Sequence, residues 1–555
     1  MHRHSILFSF IVISLITAGG SSCTNPGPAV TLSDGMIQGD VVGGARCFLK
    51  IPYAKPPVGD LRWKAPVKND PWTGVHHEKE FACPCPQLKN QQNAGSTNED
   101  CLYLNVWTPE PAPTKAPVMV WFHGGGNFAG SAGDKLPVVG LSTDEQPLWY
   151  DGQYFASKQG IIVVTLNYRL SVMGFFAHAG LAAEGSPLGN QGLLDQRRAL
   201  QWVHDNIEKF GGDPNNITIF GESAGSFDVA SHVVSEGSRG LFHRAISESG
   251  GITGPGSGKL YPTPSDEASK IDALAKDLGC TGTDASSQLA CLRHVSVADM
   301  LNAAGQTDPV INQAAKYSFG AVVDGPGGFF TDQPRTLFDQ GKIAKVPYLL
   351  GSNTDEGTLF TLFGSSSYPS SEQEYEAELT RRFGSQNLQE LLKLYPAVKF
   401  NNDYHAALTR AVGDQTLVNG THDTARCAHK AGSKVFMYNF NIPWNITPSY
   451  WGPFFENIGN ALVGACHSSE ITFVFDIPYN PTASDQFVAD TVNTFWATFA
   501  RTGDPNFSGA PAIWPEFTPD ANDNDLRLQL DAEWQILANF RKEECAFWRS
   551  YNLSQ

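Results

Sequence analysis

Residues 217–225 read Ile-Thr-Ile-Phe-Gly-Glu-Ser-Ala-Gly. An apolar, β-branched run enters Gly221-Glu222-Ser223-Ala224-Gly225, and a helix-compatible stretch, Ser226–Val234, leaves it. Strand, tight turn and helix in that order lift a serine hydroxyl to the apex of a strained bend. Small residues at Gly221 and Gly225 let strand and helix pack closely around it. The chemistry open to such a serine is attack on an acyl carbon. The bare Gly-x-Ser-x-Gly pattern is weak in a chain with 54 glycines, but it occurs once and its setting carries the weight.

Acyl transfer builds negative charge on a tetrahedral oxygen, which fixed N–H donors must meet. His123-Gly124-Gly125-Gly126 follows the apolar run Pro117–Phe122. Glycines let a backbone turn its amides toward one point. The expected oxyanion hole is the amides of Gly125, Gly126 and Ala224, with Gly124 assisting the loop geometry. His123 reads as structural, not as a base. A second glycine-rich segment, Gly254–Lys259, resembles a phosphate loop but has Thr253 and Leu260 where that motif needs Gly and Ser/Thr. No His-Glu-x-x-His and no paired Cys-x-x-Cys motif occurs, so neither a metal nor another cofactor is expected.

Elements must position these groups. Pro117–Phe122, Ile161–Leu166 and Ile217–Phe220 are apolar without alternation, as in parallel strands covered on both faces. Between the last two, Leu193, Leu194, Leu200, Val203 and Ile207 recur at helical spacing over Asn190–Phe210, which Gly211-Gly212-Asp213-Pro214 ends. Strand, helix and strand make a βαβ unit. Further strands are expected at Ala245–Ser247, Val346–Leu350 and Val435–Phe440. The long Gly-, Ser- and Pro-rich stretches between them read as insertions, because apolar residues are scattered through them. The expected fold class is α/β: a central, mostly parallel sheet with helices on both faces and large loops over the carboxyl ends of the strands, where ligands bind.

The N-terminus reads as a secretory signal, residues 1–22: Arg3, an apolar run Ile6–Ala18, then small residues Gly19–Ser22. Residues 23–555 are then expected to form one domain. No later stretch is apolar enough to span a bilayer. The net charge of −17 disfavours nucleic acid as a partner and favours solubility. Ten cysteines in an exported chain point to disulfides. Sequons at Asn216, Asn419, Asn445, Asn506 and Asn552 agree with that route.

Chemistry alone leaves the serine's base open among 14 histidines. The chain resembles the type-B carboxylesterase/lipase family, the cholinesterase-like α/β-hydrolases, from about Thr31 to Tyr551. The resemblance rests on Ile51-Pro52-Tyr53-Ala54, Glu99–Asn105, Asn167-Tyr168-Arg169, Asn190–Gln196 and Phe220–Gly225. It implies that Glu356, in Asp355-Glu356-Gly357, is the acid and that His467, ahead of Glu470 and Phe473-Val474-Phe475, is the base. Ser223, Glu356 and His467 follow the chain order of this fold. Glu222 and Glu470 are expected nearby, as carboxylates that assist or as core salt bridges. The resemblance also implies disulfides Cys85–Cys101, Cys280–Cys291 and Cys427–Cys545, and ion pairs Arg62–Glu99 and Arg169–Asp195. Cys23, Cys47, Cys83 and Cys466 stay open; Cys23–Cys47 is one pairing, Cys83 could compete with Cys85 for Cys101, and Cys466 is a free thiol or a partner of Cys83.

Together these features imply a secreted hydrolase of small carboxylic esters. A lipase working on long-chain acylglycerols at interfaces would use the same residues. A neuroligin-like, catalytically inert adhesion or storage protein is the rival of another class, yet the expected triad is complete. Pro86–Asp100 holds no aromatic residue to stack on a quaternary ammonium, which disfavours a choline-ester specialist. Asn127 after the glycines makes the pocket wall more polar. Gly133–Trp149 reads as an insertion that could shape a lid or mouth, and Tyr317 and Phe319 as acyl-pocket or core aromatics.

Overall fold

The computed structural model describes residues 25–89, 95–136, 146–253, 261–305, 316–364, 369–443, 464–477 and 481–551. The expected leader, Cys23, the sequons at Asn445 and Asn552 and the phosphate-loop look-alike lie outside these residues.

Among the described residues, thirteen strands form one sheet. They are β1 (Asn25–Thr31), β2 (Met36–Val42), β3 (Ala45–Pro52), β4 (Val75–His76), β5 (Tyr103–Pro109), β6 (Ala116–Phe122) and β7 (Ile162–Leu166). Then come β8 (Gly212–Glu222), β9 (Arg244–Glu248), β10 (Tyr348–Asn353), β11 (Val435–Phe440), β12 (Leu526–Leu530) and β13 (Gln535–Ala538). The order across the sheet is β1-β2-β3-β5-β7-β6-β8-β9-β10-β11-β12-β13, with β4 beside β2. Neighbours from β7 through β6, β8, β9, β10 and β11 to β12 are parallel. The two margins are antiparallel apart from the short β4, which runs parallel to β2. Parallel neighbours need long crossovers. Helix Gln191–Asn206 supplies one between β7 and β8, and helix Ala224–Val234 lies between β8 and β9.

The apolar runs of the central strands divide between two cores. Val118, Val120, Phe122, Ile162, Val164, Ile217 and Ile219 fill one. Met119, Trp121, Val163 and Phe220 fill the other, together with Phe473, Val474 and Phe475. Side chains alternate across a strand, so an unbroken apolar run marks a sheet covered twice. Trp121 and Phe220 meet Phe475 with ring centroids 5.1 and 5.7 Å apart. Burying each such ring contributes about 2 kcal/mol. The segment that follows His467 is therefore anchored on the strands that carry Ser223.

β8 starts at Gly212, earlier than its apolar run, because Gly212 pairs with Ala116 before a register shift. Gly211, at φ +91, caps the turn Ile207–Phe210 and sends the chain straight into that strand. The ion pairs Arg62–Glu99 and Arg169–Asp195 both form, each through two guanidinium bonds of 2.6–2.8 Å.

Two of the three expected disulfides form, Cys85–Cys101 and Cys280–Cys291. Cys427–Cys545 does not; both are buried thiols. Cys427, on helix Asn419–Lys430, sits among Asp423, Arg335, Asp339 and Thr253. Cys545, on helix Lys542–Ser550, sits among Asp414, Arg527, Arg549 and Arg541. The two helices pack against each other, yet the sulfurs are not bonded. Burial pushes each up to about 12, which suppresses the thiolate that exchange requires. Cys83 and Cys466 are separate thiols as well, one exposed and one buried.

The sequons are less open than their sequence implies. Asn419 is fully buried. Asn506 spends its amide on Asp504 and on the Trp514 carbonyl. Asn216 is half-buried and accepts from Arg244. Non-reducing peptide mapping after alkylation of the unfolded, unreduced protein should find Cys427 and Cys545 alkylated. The peptides of Cys85–Cys101 and Cys280–Cys291 should stay linked. A linked Cys427–Cys545 peptide would contradict this arrangement.

Candidate active site

β8 ends at Glu222, and Ser223 takes φ +56 and ψ −121 before the helix Ala224–Val234 begins. A serine at positive φ is strained and persists only where its surroundings enforce it. They do so here by close approach. A Cβ on Gly225 would lie 2.0 Å from the Phe122 carbonyl oxygen, and one on Gly221 2.7 Å from the Gly225 carbonyl carbon. The Ser223 amide also donates to the Glu248 carbonyl at 2.9 Å, pinning the elbow to the end of β9.

The glycine loop lies against this elbow. A Cβ on Gly124 would meet Glu222 Oε2 at 2.8 Å and Ser223 Cβ at 3.2 Å. Gly125 and Gly126 have φ of +103 and +64. The loop is tied down along its length. Tyr168 donates to the His123 carbonyl at 2.7 Å. The Ser171 amide donates to the Asn127 carbonyl at 2.7 Å. Asn127 Nδ2 donates to Asp228 at 2.9 Å. Gln87 and Gly130 exchange two bonds of 2.9 Å. No acceptor among the described residues takes the amides of Gly125, Gly126 or Ala224. Those donors stay unengaged on the glycine loop and at the helix start. His123 stacks on Tyr168 at 4.3 Å, and burial lowers it to about 4, which fits a neutral structural residue.

Glu356 and His467 are joined. Glu356 Oε2 meets His467 Nδ1 at 2.7 Å, while Oε1 accepts the Asn353 amide at 2.7 Å. Gly357 has no room for a side chain, since a Cβ would sit 1.9 Å from the Thr409 carbonyl. The acid and base loops are also tied by backbone. Asp355 donates to Ala465, Ala465 donates back to the Asp355 carboxylate, and Asn353 Nδ2 donates to the Cys466 carbonyl.

The other imidazole nitrogen, Nε2, lies 3.2 Å from Glu222 Oε1. Among the described residues no hydrogen bond joins it to the Ser223 hydroxyl. The same Oε1 accepts the Ser468 hydroxyl at 2.8 Å. Glu222, Glu248, Glu356 and Glu470 are all buried here. Glu470 accepts from Asn353 and from Ser249, and Glu248 from Trp496 Nε1 at 2.8 Å. Burial pushes Glu222 up to about 7 and Glu470 to about 8. Burial also opposes charge on His467, yet Glu222, Glu356 and Glu470 overcome it and raise the imidazole to about 9.

The expected residues thus gather at one end of the sheet, with Glu222 standing between elbow and imidazole. Sequence reading missed Asn353, Ser468, Glu248 and Asp228. Asp228 alone left a signal, a charge on the buried face of an otherwise apolar helix. Tyr317 and Phe319 have other partners: Tyr317 binds Asp277 at 2.8 Å, and Phe319 packs on Phe176 at 6.2 Å. In the expected insertion, residues 137–145 lie outside the described ones. Its ends pair as a stem, Lys135 with Leu148, and bury Leu136 and Trp149.

A family model for the carboxylesterase family matches residues 26–548. The chain belongs to that family. This carboxylesterase is 33% identical to a cholinesterase of Mus musculus over 582 aligned residues, covering 98% of this chain and 90% of the relative. It superposes on a solved PNB esterase with a TM-score of 0.74 and 29% identity, covering 94% of this chain and 99% of the other. It is a carboxylic ester hydrolase of the α/β-hydrolase fold.

The buried charges of the carboxylesterase set a pH dependence of folding. Glu470 and His467 titrate higher in the folded chain than in the unfolded one. From pH 7 upward the folded state therefore holds protons that the unfolded state has already released, so stability falls as pH rises. Urea unfolding at pH 7 and 8.5 should give the lower free energy at pH 8.5. Glu470→Gln should reduce the difference. A difference of equal size in that variant would contradict the assignment.

Proposed function

We propose that this carboxylesterase is exported and cleaves neutral carboxylic esters through an acyl-enzyme on Ser223. Glu356 and His467 complete the triad, and no cofactor takes part. The reading rests on the 2.7 Å contact of Glu356 with His467 beside the strained turn that carries Ser223. With Nε2 unprotonated, the imidazole leaves Glu222 and accepts the Ser223 proton. The serine oxygen then attacks the ester carbonyl. The amides of Gly125, Gly126 and Ala224 hold the oxyanion, where losing one donor typically costs about 3 kcal/mol. His467 passes its proton to the departing alcohol. Water, deprotonated by the same nitrogen, then releases the acid and restores the serine. Throughout, Glu356 holds the Nδ1–H tautomer and stabilises the imidazolium.

Export is supported by the leader-like N-terminus and by paired cysteines, which persist in oxidising compartments. Neutral esters are favoured because the residues between Cys85 and Cys101 include no aromatic ring to face a quaternary ammonium. Ser223→Ala should lower kcat/KM on p-nitrophenyl acetate by about 10³ or more while the thermal transition is retained. Undiminished hydrolysis would overturn the assignment. A panel of p-nitrophenyl esters from acetate to palmitate, with and without an emulsion, should favour short chains in solution. Activity that appears only with the emulsion would identify a lipase instead.

A further inference from the structure

Ser468 directly follows His467 and has φ +68, a conformation that costs a non-glycine residue energy. Nothing about a turn requires a side chain there; glycine adopts it freely. The side chain that is present does one thing. Its hydroxyl donates to Glu222 Oε1 at 2.8 Å, the same oxygen that lies 3.2 Å from His467 Nε2. A strained position occupied by a polar side chain with a single polar partner among the described residues marks a site where the strain serves a purpose.

We propose that Ser468 is a positioning residue whose hydroxyl binds the Glu222 carboxylate and sets how strongly that carboxylate competes with Ser223 for His467 Nε2. This rests on the triad reading given above. Glu222 is enclosed, so its charge has few donors to face. The Ser468 hydroxyl is one and the imidazole is another. When His467 releases its proton to take up that of Ser223, Glu222 keeps the Ser468 bond and remains a carboxylate. Without the hydroxyl, a charged Glu222 beside a neutral His467 is harder to reach, and the imidazole stays protonated and turned toward Glu222. The other ionisable groups facing this pair are Glu356 from the loop after β10, Glu470 from the loop of His467, and Glu248 from the end of β9. Tyr438 of β11 and the Cys466 thiol complete the surroundings, and burial raises both, so they stay neutral.

The test compares Ser468→Gly with Ser468→Ala in the full-length enzyme. The glycine variant removes the hydroxyl and the backbone strain; the alanine variant removes the hydroxyl and keeps the strain. Both should move the acid limb of the kcat/KM profile upward by about one pH unit, the scale of one hydrogen bond to a charged group. Below that limb both should lose activity about tenfold, while the glycine variant melts no lower than the parent. A profile that is unmoved, or moved downward, in the glycine variant would overturn the proposal. Labelling by diethyl p-nitrophenyl phosphate, mapped by peptide, separates the two readings. Failure of the parent enzyme to label at Ser223 sinks the triad reading; labelling at Ser223 with an unmoved profile sinks only the role of Ser468.

Discussion

Four carboxyl groups share an enclosed space with one imidazole, and that imbalance of charge governs the rest of the site. Glu222, Glu248, Glu356 and Glu470 cannot all be ionised around a single cation without water. The structure distributes them by the donors each one finds. Glu356 takes the Asn353 backbone amide and the Nδ1–H of His467. Among the described residues Glu248 has only the Trp496 indole at its side chain, and burial drives it far toward its neutral form. Glu222 and Glu470 fall between, close to neutrality in their titration. A proton can thus be stored beside His467, on groups that have no bond-making role in the proposed mechanism.

The backbone provides what side chains cannot. The elbow is compressed between the Phe122 carbonyl and the start of its own helix, and the glycine loop is laced to the body by Tyr168, Asn127, Gln87 and Ser171. These bonds fix amides that have no partner among the described residues, so in the proposed mechanism the cost of ordering them is met during folding and not during reaction. The Asp355–Ala465 and Asn353–Cys466 bonds do the same for the acid and base, which are 111 residues apart in the chain.

What was legible in the sequence follows from what repeats locally. The central strands announced themselves because both faces are buried, and β11 was delimited as Val435–Phe440 in agreement with the structure. The margins did not. β1 reads Asn-Pro-Gly-Pro-Ala-Val-Thr, turn-like residues that only an edge strand can accommodate. β13 is four residues long and mostly exposed, too short for a periodic pattern to show. Ser223 and the glycine loop were legible from chemistry and spacing, whereas Glu356 and His467 required a resemblance, because their pairing is a property of the fold and not of any local pattern. Ser468 was invisible: a serine after a histidine carries no signal until its φ and its partner are known. The Cys427–Cys545 expectation rested on the family pattern alone, and the structure leaves both as buried thiols.

Asn419 has a further consequence. It opens the helix Asn419–Lys430 with its side chain fully buried, and among the described residues neither amide atom has a hydrogen-bond partner. Where N-glycosylation machinery acts during export, a sugar on Asn419 and a docked helix exclude each other. The sequon is open only in the interval between emergence of the segment and its burial. Occupancy at that asparagine is then a race between an enzyme and a folding step, and the carbohydrate content of the product would record which finished first.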